Sequence, residues 1–275
     1  MNVVDLHASD SMTIRYAGDF RMTLLTGRTF AMQVSHPAVG AGVDQFSNFR
    51  RDPLRRLREI NRSGNAFMFS GREAAERESQ RLRNMHRNIA GVDSRGQRFH
   101  ALDPAVYGWV HTVFFDSAVA MHDLFGTPLT RAEQERLFAE WRQGGMLLGL
   151  ASEDMPADVD EYFAYYARMI ETTLEYNAVT RDILSGAIPR FGPLKRLPRG
   201  AWGRISAPLA ARSRRLTLGT LPPAYRRKIA AYERWTAEDE RWLERFRSVV
   251  KALAPRLPTR LRVSRAAYRA MHRAA

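Results

Sequence analysis

The stretch RLRNMHRNIAGVDSRGQRFHALDPAVYGWVHTVFFDSAVAMHDLF, residues 81–125, decides the fold and holds four of the seven histidines: His86, His100, His111 and His122. Its pattern predicts two helices joined by a polar, glycine-containing loop. In the first, Arg83, His86, Arg87 and Ala90 fall at i, i+3, i+4 and i+7, so one stripe sets a histidine between guanidinium groups. The second opens with Asp103 as N-cap and Pro104 at the first helical position, where a missing N–H costs nothing. Val106, Trp109, Val110, Val113, Phe114, Ala118 and Met121 then cover most of its circumference, which predicts burial on nearly every side. His111, in the middle of so apolar a helix, requires an explanation.

Outward from this stretch the periodicity stays helical. Upstream, residues 16–34 read as a short helix with a turn at Gly27, and His36-Pro37 starts another helix rich in small residues. Asp52 caps a helix from Pro53 to about Asn61, and a charged helix from Glu73 leads into Arg83. Downstream, Thr130 and Glu133 form a capping box for a helix through Trp141, which Gly144 and Gly145 then break. A helix from Asp160 to about Ser185 follows. Residues 186–225, rich in Pro, Gly and Arg, read as loop with a short helix, and helices resume over 225–235, 237–253 and 264–271. No segment shows strand alternation. The expectation is an all-α, multi-helix bundle, one domain over residues 1–275, with 186–275 as a loop plus a basic helical C-terminal extension of it.

Composition excludes several classes. The 275 residues are 45% hydrophobic and 26% charged, which is globular, and the absence of cysteine removes disulfides, thiolate nucleophiles and iron–sulfur ligation together. Asp5 and Asp10 interrupt the N-terminus before any secretory apolar region, and no uncharged run nears the roughly 20 residues of a membrane span, so a cytoplasmic protein, at most peripheral to a membrane, is expected. The net charge of +14 is uneven: residues 181–275 hold 23 Lys and Arg against 6 Asp and Glu. That third could meet anionic lipid or nucleic acid, or present solvated helical faces.

No phosphate loop, dinucleotide fingerprint, nucleophile elbow or Glu-x-x-His motif is present. What remains is His36, His86 and His111 with arginines close by. A buried neutral imidazole can ligate haem iron and an adjacent arginine can pair with a propionate. Equally, each could be a core histidine satisfied by a backbone carbonyl.

Five segments in order, HPAVGAGVDQFSNFRRDPLRRL (36–57), RLRNMHRNIAGVDSRGQRFHALDP (81–104), WVHTVFFDS (109–117), MLLGLASEDMPADVDEYFAYYARMIE (146–171) and LPPAYRRKIA (221–230), resemble the MpaB-type and rubber oxygenase (latex clearing protein) family. The resemblance covers nearly the whole chain. It implies a helical fold, distantly globin-like, that binds haem b and uses dioxygen to oxidise or cleave an apolar, isoprenoid- or lipid-like alkene. Its partners would be that small molecule and dioxygen, with peripheral membrane contact through the basic third, and no nucleic acid. Carried over by motif, His86 is the iron ligand, His111 and Arg83 are cofactor-binding, and Arg56 and His36 are catalytic groups near the haem. Ile60 and Asn61 stand where the family tends to carry a threonine. Two other readings remain: a haem or lipid carrier without catalysis, and a basic nucleic-acid-binding protein.

Overall fold

The computed structural model describes residues 5–185 and 199–273. It is almost entirely helical. The first helices are α1 Met12–Ala17, α2 Phe20–Leu24, α3 Thr26–Val34, α4 Pro37–Phe46, α5 Pro53–Phe69 and α6 Arg72–His86. A short hairpin follows, β1 Ala90–Val92 and β2 Arg98–His100. The remaining helices are α7 Pro104–Phe125, α8 Arg131–Leu148, α9 Val159–Arg168, α10 Ala178–Leu184, α11 Arg199–Thr220, α12 Pro223–Lys228, α13 Ala237–Leu253, α14 Thr259–Arg262 and α15 Arg265–Met271.

At 22 residues and so about 33 Å long, α7 is the axis of the core and packs against α2, α3, α4, α8 and α13. Trp109, Val113 and Met121 are fully buried, each adding roughly 1.5–3 kcal/mol of apolar burial. An aromatic layer of Phe115, Phe138, Trp141, Tyr162 and Tyr166 joins α7 to α8 and α9. Of the apolar residues expected to wrap it, Phe114 is exposed, at 48%.

Most polar groups of the WVHTVFFDS segment reach neighbouring helices. The Trp109 indole N–H donates to the Met32 carbonyl at 3.0 Å, and Ser117 meets Thr29 at 2.8 Å. Asp116 accepts from Arg28 at 2.6 Å and from the Tyr166 hydroxyl at 2.8 Å, and Arg28 also donates to the Thr220 carbonyl. Both donors converge on one carboxylate oxygen, Oδ2, and a charged pair sealed this deeply depends on its partners staying in place.

Several boundaries differ from the sequence expectation. The charged helix stops at His86, and Ala90 lies in β1, opposite His100. The turn is made at Gly96, whose φ of 75° suits glycine. The short helix and Gly27 turn expected within 16–34 are instead the end of α1, then α2 and α3, with Gly27 inside α3. A Cβ on Gly27 would lie 2.0 Å from the Thr217 hydroxyl, so the glycine permits α3 to meet α11. α5 runs on to Phe69. The expected 160–185 helix is interrupted by a wide turn, Met169–Thr173, and an extended link before Asn177 caps α10. Of the expected 186–225 loop, residues 186–198 lie outside the described residues, and 199–220 form a helix. The expected 225–235 helix is only the end of α12. Both capping-box helices, α8 with Thr130 and α13 with Thr236, begin where the sequence puts them.

Candidate active site at the α5–α8 seam

His86 ends α6, and its environment is built by the hairpin that follows. His100 donates from Nε2 to the Arg87 carbonyl at 2.9 Å, and its Nδ1 accepts from the Leu102 amide at 3.1 Å. Asp103, expected to cap α7, accepts instead from the His100 amide. The hairpin base is thereby fixed directly after the last turn of α6.

Within that turn His86 Nδ1 lies 2.8 Å from the Leu82 carbonyl. A carbonyl oxygen only accepts, so Nδ1 carries the proton and Nε2 carries the lone pair. Nε2 makes no hydrogen bond to a described residue and, unlike Nδ1 of His36 and Nε2 of His122, is not sealed from solvent. The ring meets Tyr107 of α7 edge-on, centroids 5.8 Å apart. Burial lowers the His86 pKa, and the nearby positive charge of Arg56 and Arg81 adds to this against the bond to Leu82. The imidazole is therefore neutral at neutral pH.

His111 lies one turn further along α7, on the same stripe as Tyr107. Its Nε2 donates to the Trp141 carbonyl at 2.8 Å, and the Trp141 indole N–H donates back to the His111 carbonyl at 3.0 Å. The rings stack 4.8 Å apart, 9° from parallel. This reciprocal clamp joins α7 to α8 and accounts for a histidine in an apolar helix. It also accounts for Gly144 and Gly145, which do not break α8 as expected. The His111 ring sits 3.1 Å from where a Gly145 Cβ would be.

Burial lowers the His111 pKa to about 4. Because the folded value lies below the unfolded value of about 6.5, the unfolded chain binds the extra proton between those pH values. Stability is full above pH 6.5 and falls as pH drops towards 4. From this group alone, urea denaturation should report a loss of about 2 kcal/mol between pH 7.5 and 5. A His111→Gln variant should show a flatter profile over the same range.

Arg83, one turn before His86, donates to Gln80 at 2.8 Å and covers Gly149, the left-handed residue closing α8. Arg56 of α5 reaches Glu59 only at 4.0 Å. His86, Arg56, Arg83 and His111 thus occupy one seam between α5, α6, α7 and α8. His36 stands apart at the start of α4, where its Nδ1 is buried without a partner. Burial first, then the charge of Arg95, lowers its pKa to about 4, so it too is neutral.

The residues that organise the seam but escape a reading of the sequence alone are Leu82, Tyr107, Trp141 and the two glycines. Tyr107 at four residues before His111 was the available signal. On a neighbouring face of α7 a cleft of about 270 Å³ is lined by Gly108, Thr112, Met155, Tyr165 and Arg168 among others. No group of three or more His, Asp or Glu side chains that could chelate a metal ion occurs among the described residues.

Residues 14–252 match the family described as ER-bound oxygenase mpaB/B'/Rubber oxygenase, catalytic domain. No curated protein and no solved structure matches the chain. The match spans α2 to α12 whole and all but the final residue of α13, with the seam at its centre, and the chain belongs to the mpaB/rubber oxygenase catalytic-domain family.

Proposed function

We propose that this oxygenase-family chain is a haem b-dependent oxygenase that uses dioxygen to oxidise an apolar, isoprenoid- or lipid-like alkene, with His86 as the axial ligand. The observation that carries this reading is the His86 imidazole, neutral, with Nδ1–H tied to the Leu82 carbonyl and Nε2 unpartnered. A backbone acceptor on the far nitrogen fixes the tautomer and ring orientation and raises the basicity of the ligating nitrogen. His111 offers its Nε2 to Trp141 instead, which favours His86 over it.

Bound haem would supply dioxygen activation. The chain supplies the setting. Arg56 brings a fixed positive charge towards the His86 side of the seam and would stabilise negative charge developing there. Arg83, on the last turn of α6 and bonded only to Gln80, is suited to pair with a carboxylate beside His86, whereas Arg81 is held by Glu78. With Ile60 in place of a threonine, no hydroxyl is offered from that turn of α5. His36, neutral and with an unpartnered ring nitrogen, is a further candidate group beside the hairpin.

The test is haem titration of the purified protein, followed by oxygen consumption with squalene. The reading expects a Soret band and squalene-dependent oxygen uptake that yields carbonyl-ended products. A protein that stays colourless after haem addition would overturn it. A Soret band without oxygen uptake would leave a haem carrier.

A further inference from the structure

Residues 245–273 contain nine Lys and Arg and no Asp or Glu. Within the same segment, four large apolar side chains point into solvent at four-residue spacing: Val249 is 54% exposed, Leu253 55%, Leu257 37% and Leu261 64%. They run from the last turns of α13 through the tight turn Ala254–Arg256 into α14. The opposite side of the segment is anchored. Val250, Ala254 and Val263 are buried, Lys251 donates to the Asp123 carbonyl, and Arg262 pairs with Asp19. Arg245, Arg256, Arg260, Arg265 and Arg269 meet no carboxylate among the described residues.

We propose that this ridge docks the protein on an anionic lipid bilayer, with Val249, Leu253, Leu257 and Leu261 entering the headgroup boundary and the surrounding arginines facing lipid phosphates. An apolar row exposed at such cost needs a partner that buries it, and a cationic surround selects a negatively charged one. Nucleic acid satisfies the arginines but leaves the four apolar side chains in water. Contact is peripheral, since no described helix is long and apolar enough to cross a membrane. The inference stands on the surface alone and does not require the haem reading.

Co-sedimentation of the full chain tests it, with vesicles of phosphatidylcholine alone and of phosphatidylcholine with 30% phosphatidylglycerol. Binding at low salt should be at least tenfold stronger to the anionic vesicles and should weaken in 0.5 M salt. Leu253→Glu/Leu257→Glu should lose it while keeping the wild-type helical signal, because both side chains are exposed. Arg256→Glu/Arg260→Glu should lose it independently. Equal or absent pelleting with both vesicles would overturn the proposal. So would a wild-type affinity for duplex DNA that exceeds its affinity for the anionic vesicles.

Discussion

His86→Ala is expected to abolish the Soret band on haem addition while leaving the helical signal and thermal midpoint of the haem-free protein nearly unchanged. His86 closes an exposed helix end, and its ring is only half-buried against Tyr107. Truncation therefore removes little packing and no interhelical bond, only the local contact with Leu82. Removing mere supporting groups around a bound metal commonly costs about 10–100-fold in affinity, so loss of the ligand itself should exceed 100-fold. His111→Ala is the contrasting variant. It breaks both hydrogen bonds to Trp141 and opens a void against Gly144 and Gly145, so its main effect should be on stability. If haem uptake survived His86→Ala and vanished in a folded His111→Ala, the ligand assignment would pass to His111.

Arg28→Met should destabilise the fold by about 3–5 kcal/mol, read from urea denaturation. The substitution keeps the side chain's approximate volume and removes its charge. Asp116 would then be sealed in the core with the Tyr166 hydroxyl as its remaining side-chain donor. The Thr220 carbonyl would also lose its guanidinium partner. The double variant Arg28→Met/Asp116→Leu should recover much of the loss, since neither charge is then left alone in an apolar interior. A double variant no more stable than the single one would mean that the network's value lies in its geometry across α3, α7, α9 and α11.

What the sequence revealed about this fold depended on the range of the interactions. The Thr130–Glu133 capping box acts within four residues and could be read directly. The apolar wrap of α7 was equally plain, because a buried axis has few polar positions. The sites that misled are those where a distant partner decides. Gly144-Gly145 reads as a helix break until His111 is seen lying across it. Ala90 fits a helical stripe, but pairing with His100 draws it into a strand. Among the candidate site residues, motif order brought His86, Arg56, Arg83 and His111 to attention together, and all four line one seam. What no pattern could assign is which ring nitrogen each histidine keeps, since that follows from carbonyls on its own last turn or on another helix.

The early and late parts of the chain meet. The Ser264 amide donates to the Gly18 carbonyl at 2.8 Å, Asp19 bridges Val263, and Arg262 reaches the Asp19 carboxylate at 3.4 Å. A Cβ on Gly18 would lie 2.1 Å from the Ala267 methyl carbon. On the ribosome, residues 18 and 19 emerge some 240 positions before these partners, so the side of Ile14 that Val263, Ala267 and Ala270 cover stays open until they are made. The seam of α5 to α8 is complete long before then. Docking of α14 and α15 on α1 is thus a late event of synthesis, and the face of α1 they cover is one that a holding chaperone would protect until then.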